Sequence, residues 1–169
     1  MALPVALDAM GGDAAPEAIV AGAIAAARHD GRRVLLCGHS DALEPLLAGV
    51  DVPSGSLTIE HWPDGVAMDA KPATAMRQSE SSMAGIFRAV KEGRAGAAVS
   101  AGNSGATLGL ALRYLGRIPG VQRPAISLMT PGAGGLRIFL DGGANTECTP
   151  QMLGQFGVMG SIYAEAVLG

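Results

Sequence analysis

The side chains best suited to chemistry in this sequence gather in three glycine-rich turns. They read Leu7-Asp8-Ala9-Met10-Gly11-Gly12-Asp13, Ser100-Ala101-Gly102-Asn103-Ser104-Gly105 and Leu140-Asp141-Gly142-Gly143-Ala144-Asn145. Each follows a short apolar run and leads toward a stretch with helical spacing. Glycine lets backbone N–H groups come close to a ligand, and the amino end of a following helix attracts negative charge. Asn, Ser and Asp add short polar groups that hold a phosphate or polarise a carbonyl. One such turn is ordinary punctuation in an α/β protein. Three of them, each with a carboxylate or an amide, point to a ligand-binding edge. No GxxxxGK[ST] occurs, and the stretch from Gly102 to Thr107 lacks the GxGxxG spacing, so a phosphate-sized anion fits better than a nucleotide.

The elements that must carry these turns alternate in type. Val5 to Ala9 reads as a strand, and Pro16 opens a helix to about Arg28 with Asp13 at or near its cap. Arg33 to Cys37 reads as a second strand, and Ser40 as the cap of a short helix through Ala48. Leu57 to Trp62 alternates as a third strand, and Pro63 to Pro72 reads as a surface loop. Met76, Met83, Ile86, Phe87 and Val90 recur on one helical face, predicting a single helix from Ala73 to Glu92. A strand over Ala97 to Ala101 and a helix over Asn103 to Leu115 follow. Pro124 to Met129 and Leu136 to Leu140 are strands joined as a hairpin or as neighbours, and a last helix runs from Thr149 through Leu168 with Pro150 at its first position. This order predicts an α/β fold with a mostly parallel sheet flanked by helices. The chain stops after a long helix, where a crossover helix usually returns to another strand, so a longer parent sequence is expected.

Composition narrows the classes. The chain has 169 residues, a length expected to form one α/β domain over residues 1–169. Its 30 Ala and 25 Gly, with only 4% aromatic residues, require a closely packed core of small side chains. Gly follows no G-X-Y period, and the 49% apolar content argues against disorder. The 12 basic and 15 acidic residues are scattered, so no nucleic-acid partner is expected. Cys37 and Cys148 form no disulfide framework, which fits a reducing cytoplasm. His29, His39 and His61 share no metal-ligand spacing, so neither a metal nor another cofactor is expected. The apolar run Ala18 to Ala27 is far shorter than the roughly 20 residues that span a bilayer.

Several motifs resemble one family. They are Leu-Asp-Ala-Met-Gly-Gly-Asp-x-x-Pro at Leu7 to Pro16, Met-Asp-x-Lys-Pro at Met68 to Pro72, and Ser-Ser-Met at Ser81 to Met83. Ser-Ala-Gly-Asn-Ser-Gly-Ala at Ser100 to Ala106, Leu-Gly-Arg-Ile-Pro-Gly at Leu115 to Gly120 and Arg-Pro-Ala at Arg123 to Ala125 continue the series. Leu-Asp-x-Gly-Ala-Asn at Leu140 to Asn145 follows, then Gln-Phe-x-x-Met-Gly-Ser-x-Tyr-Ala. In this order they resemble the bacterial phosphate acyltransferases of phospholipid synthesis, over essentially the whole chain.

The resemblance implies that inorganic phosphate attacks the thioester of acyl carrier protein (acyl-ACP), giving an acyl phosphate for a membrane glycerol-3-phosphate acyltransferase. It implies a three-layer α/β/α sandwich like isocitrate and isopropylmalate dehydrogenases, and a homodimer in the cytoplasm or peripheral to the membrane. Family chains are longer, so this one matches their N-terminal portion. Alternatives are a phosphotransacetylase-like enzyme using acyl-CoA, or a catalytically incomplete anion-binding or dimerisation fragment.

The reaction needs a held anion, a positioned carbonyl and a stabilised oxyanion. Gly102, Asn103, Ser104 and Gly105 are candidate phosphate or oxyanion contacts, with Gly11, Gly12 and Ser100 beside them. Asn103 is equally readable as an N-cap. Asp141 and Asn145 are candidates to orient phosphate or thioester, or simply hydrogen-bond their turn. Lys71 is a candidate phosphate cation, or else a solvated surface lysine. Asp8 and Asp13 suit loop orientation better than catalysis, because anions beside a phosphate repel it. Nothing suggests a thiol acyl-enzyme. Ala14, Gln78, Ser79 and Gly142 depart from the family pattern; Gln78 and Ser79 stand where basic residues often precede Ser-Ser-Met, which shifts any docking of acidic ACP to Arg77, Arg88 or Arg113.

Overall fold

The computed structural model describes residues 2–169, apart from the side chain of Pro72. The chain falls into two compact units, Met1–Gly116 and Arg117–Gly169.

The first unit holds β1 (Val5–Asp8), α1 (Glu17–Asp30), β2 (Val34–Gly38), α2 (Ser40–Leu47) and β3 (Leu57–His61). It continues with α3 (Pro72–Ala75), α4 (Ser82–Lys91), β4 (Ala97–Val99) and α5 (Ser104–Leu115). The strands form one parallel sheet in the order β3-β2-β1-β4, with Leu7 beside both Leu36 and Val99. Strand alternation sends successive side chains to opposite faces. On β2, Val34 and Leu36 pack with Val20 and Ala23 of α1 and Leu43 of α2. Leu35 and Cys37 face the other core, with Met83 and Ile86 of α4 and Leu110 of α5. A core on each face makes three layers, the α/β/α sandwich that the family resemblance implies. Strands are added in one direction from β1 to β3, and β4 then lies on the far side of β1. The carboxyl ends of β1 and β4 therefore flank the switch point, where open α/β sheets bind ligands.

The single helix expected from Ala73 to Glu92 is instead two, α3 and α4. Ser81 is the reason. Its Oγ accepts the Ala84 N–H at 3.2 Å and donates to the Gln78 carbonyl at 2.8 Å, which caps α4 and ends the preceding turn. Neither Asp13 nor Ser40 caps a helix as expected. Pro16 stands at the N-cap of α1 without a side-chain bond, and His39 at that of α2. Ser40 is the first residue of α2, and its N–H donates to His61 Nδ1 at 3.2 Å.

The second unit holds β5 (Ser127–Gly132), β6 (Gly135–Leu140) and α6 (Pro150–Leu168). The strands form an antiparallel hairpin, paired from Ser127 with Leu140 to Gly132 with Gly135. Thr149 caps α6 by accepting the Met152 N–H at 3.3 Å, with Pro150 at the first position as the sequence suggests. Met152 and Phe156 are its buried side chains.

The Ala and Gly content acts where α4 meets β3. A Cβ placed on Gly85 would overlap the Trp62 indole, whose Nε1 donates to Glu60 Oε1 at 3.1 Å. Gly85→Ala gains about 1 kcal/mol of helix propensity. The overlap costs about 1–3 kcal/mol, so the variant should lose up to about 2 kcal/mol net. Urea unfolding followed by Trp62 fluorescence checks this through a lower midpoint at unchanged m-value.

Candidate functional site

The carboxylate of Asp8, 1% exposed, organises the switch point. Its Oδ1 accepts the Ser82 hydroxyl at 2.6 Å and the Met10 N–H at 3.3 Å, and its Oδ2 accepts the Ser100 hydroxyl at 2.7 Å. Ser100 Oγ in turn accepts the Gly102 N–H at 3.0 Å. One buried anion thus ties the turn after β1, the start of α4 and the turn after β4. The two turns touch directly: a Cβ on Gly102 would lie 3.3 Å from Gly11 Cα and 2.8 Å from the Met83 Sδ-methyl carbon. Gly12 has φ +116° and borders Ala101.

Asn103 caps α5, its Oδ1 accepting the Ala106 N–H at 2.9 Å. Its Nδ2 donates to the Met68 carbonyl at 2.7 Å and to the Ala70 carbonyl at 3.0 Å. The side chain therefore holds the loop that runs directly into the exposed Lys71. Ser104 and Gly105 are the first two residues of α5, where backbone N–H groups have no intrahelical acceptor. Ser104 is exposed and Gly105 half-buried. Beside this edge, an apolar groove of about 380 Å³ lies between α1 and the β1 and β4 strands, lined by Leu7, Ile19, Ala23 and Val99 and reaching Ser100 and Ala101.

In the second unit, Asp141 accepts the Ile126 N–H at 2.8 Å, the Ala144 N–H at 3.1 Å and both the N–H and Nδ2 of Asn145 at 2.8 and 3.0 Å. Asn145 Nδ2 also donates to the Pro124 carbonyl at 2.9 Å. Burial pushes the Asp141 carboxyl up, but these hydrogen bonds outweigh it and hold it below its ordinary 3.8. A polar cavity of about 530 Å³ adjoins the turn, lined by Arg123, Asn145, Thr146, Glu147 and Thr149.

The structure thus gathers Gly11, Gly12, Ser100 and Gly102 at one crevice and links Asn103 to the residues before Lys71. Asp141 and Asn145 form their own cluster. Sequence reasoning gave Ser82 no role, because its partner Asp8 is 74 positions away. Cys37 is buried, and burial first, then Glu60 and Asp8, push its thiol up to about 12, so it holds its proton at neutral pH.

The ionised Asp141 stabilises its turn above about pH 4, and that contribution is lost as pH falls through its lowered folded value. A carboxyl NMR titration should place its midpoint below 3.8, and Asn145→Ala, which removes one donor, should move that midpoint upward.

Comparison with known proteins matches residues 3–169 to the family described as fatty acid synthesis protein. The chain is 48% identical over 168 residues to a phosphate acyltransferase of Desulforamulus reducens, covering 99% of this chain and 50% of that protein. It is 50% identical over 167 residues to the phosphate acyltransferase of Heliobacterium modesticaldum, covering 98% and 50%. A third, from Myxococcus xanthus, is 47% identical over 96% of this chain and 47% of its own. The chain spans about half the length of these curated relatives. With motifs, fold and relatives in agreement, the chain belongs to the fatty acid synthesis protein family.

Proposed function

We propose that this chain carries the phosphate-handling part of an enzyme that transfers a fatty acyl group from acyl-ACP to inorganic phosphate. The reading includes the phospholipid role, a homodimer in the cytoplasm or at the membrane surface, and a single α/β domain that is the N-terminal part of a longer chain. One observation carries it. Asn103 fastens the start of α5 to the loop that leads into Lys71, so helix N–H groups and a cation-bearing loop adjoin at the switch-point edge. Both favour an anion.

In the reaction, a phosphate oxygen attacks the thioester carbonyl, and the tetrahedral intermediate collapses with cleavage of the carbon–sulfur bond. The thiolate leaves and takes the proton that the hydrogen phosphate loses. Phosphate is largely dianionic near neutral pH, so the step needs no strong base. The amides of Ser104 and Gly105 would bind the anion, with Gly11, Gly12, Ser100 and Gly102 shaping the crevice. Lys71 would offset its charge. Asn103, whose side chain is already bonded to backbone, would position the loop without touching substrate. The apolar groove that reaches Ser100 and Ala101 suits the acyl tail. Asp141 and Asn145 would hold the third glycine-rich turn, within the second unit.

A hydroxylamine trap tests this directly. The chain, supplied with acyl-ACP and phosphate, should yield hydroxamate, and far more than with acyl-CoA. No hydroxamate from folded chain that still binds phosphate would leave only an anion-binding module. Asn103→Ser keeps an N-cap and loses both loop bonds. It should cost about 1–3 kcal/mol of stability for the two lost loop bonds while raising the KM for phosphate about tenfold. Asn103→Ala should in addition cost about 1 kcal/mol.

A further inference from the structure

The stretch from Gly120 to Ile126 leads into β5, and every second residue of it is fastened by a side chain. Gln155 of α6 donates from Nε2 to the Gly120 carbonyl and accepts the Gln122 N–H at Oε1, both at 2.9 Å. Asn145 Nδ2 holds the Pro124 carbonyl, and Asp141 Oδ1 accepts the Ile126 N–H. Three side chains thus do for this stretch what a neighbouring strand does elsewhere. Arg123 stands between two of the fastenings. The proline after it restricts its backbone further, so its main chain is fixed from both sides while its side chain is left free.

Arg123 is exposed and lines the polar cavity of about 530 Å³ in the second unit. The ion pairs among the described residues belong to Arg88 and Arg94. Neither Arg123 nor Glu147, which lines the same cavity, takes part in one. A guanidinium offers a planar fork of donors that matches the oxygens of a phosphate. The remaining polar walls offer acceptors. Glu147 supplies a carboxylate, and Asn145 has spent its Nδ2 on Pro124 and Asp141, which leaves Oδ1. Asp141 already meets four donors and turns no open charge to the cavity. A bare phosphate is far smaller than this space and gains nothing from the acceptors. The matching ligand has an anionic group for Arg123 and N–H or O–H groups beyond it.

We propose that this cavity binds a phosphate ester at the end of an amide-bearing arm, with Arg123 gripping the phosphate and Gln155 positioning Arg123. The choice of ligand rests on the acyl-transfer reading. There the thioester of acyl-ACP is carried on phosphopantetheine, which has a phosphate followed by hydroxyl and amide groups. Arg123 then recognises the acyl donor, whereas the amides of Ser104 and Gly105 take the inorganic phosphate. The two phosphates have separate sites.

NMR of the labelled chain, titrated with phosphopantetheine, pantetheine or inorganic phosphate, tests this without turnover. Phosphopantetheine should shift the Arg123 Nε–H and the Asn145 and Thr146 amides. It should bind at least about tenfold tighter than pantetheine, which lacks the charge-assisted bonds. Arg123→Gln should abolish that preference, and Arg123→Lys, with charge but no fork, should restore only part of it. Gln155→Ala should weaken phosphopantetheine at least about threefold and leave pantetheine unchanged, a split that general loosening of the unit would not give. In turnover, Arg123→Gln should raise the KM for acyl-ACP about tenfold and leave that for phosphate unchanged. The proposal is overturned if phosphopantetheine fails to bind, binds no better than pantetheine, or binds Arg123→Gln as tightly as the parent chain. Inorganic phosphate shifting Arg123 at the same concentration would also overturn it, making the cavity a free-phosphate site. A chain that binds phosphopantetheine through Arg123 but forms no hydroxamate would sink the catalytic reading and keep the site.

Discussion

The buried carboxylate of Asp8 is the constraint on which the first unit depends. An ionised carboxylate inside a protein is costly unless hydrogen bonds replace its water. Here two hydroxyls and a backbone amide do so, at 2.6, 2.7 and 3.3 Å. Hydrogen bonds to a charged group are worth about 1.5–3 kcal/mol apiece, and a donor lost inside costs a comparable amount. The three donors come from the turn after β1, the first residue of α4 and the turn after β4. These segments cannot separate without stranding the charge. The crevice at the switch point is therefore fixed by a bond network, while the surrounding Ala and Gly only allow it to be tight.

A common logic runs through the other polar side chains singled out by the sequence. Asn103 uses its amide on the Met68 and Ala70 carbonyls and its oxygen on the Ala106 N–H. Asp141 uses both oxygens on the backbone and side chain of its own turn. Polar groups consumed in this way hold geometry and are poorly placed to exchange protons with a substrate. What they leave open is backbone N–H, the Ser104 hydroxyl and Lys71. That set suits an anion that brings its own nucleophilic oxygen. It does not suit a mechanism built on an activated side-chain nucleophile, and Cys37, its thiol held protonated by burial, agrees.

The order of elements was legible because it rests on local signals. The apolar run from Arg33 to Cys37, the turn between Thr130 and Gly135, and Pro150 after Thr149 each report on a few neighbours. The Ala73 to Glu92 segment misled because its apolar spacing runs on across Ser81, and a serine inside a periodic stretch looks neutral until its hydroxyl is found on Ala84. Asp13 and Ser40 are good capping residues, but the chain enters α1 at Pro16 and α2 at His39. At the site, the glycine-rich turns announced themselves, whereas Ser82 bonding Asp8 and Asn103 bonding Met68 are long-range contacts with no local pattern. The match to the family supplied what periodicity could not.

Small residues explain why so few aromatic side chains suffice. Gly85 admits the Trp62 ring against α4, Gly102 admits Met83 at the crevice, and Gly109 lets Met76 reach α5. At each point a glycine faces a large side chain, so helix and partner approach closely and the interior fills without bulky residues on both sides. Arg88 lies over the Trp62 ring, 5.4 Å from its centroid. Close approach also makes the scaffold unforgiving at Gly85, where a methyl would overlap the Trp62 ring. This close packing acts together with the hydrogen bonds of Asp8 to hold the β1 and β4 turns in place.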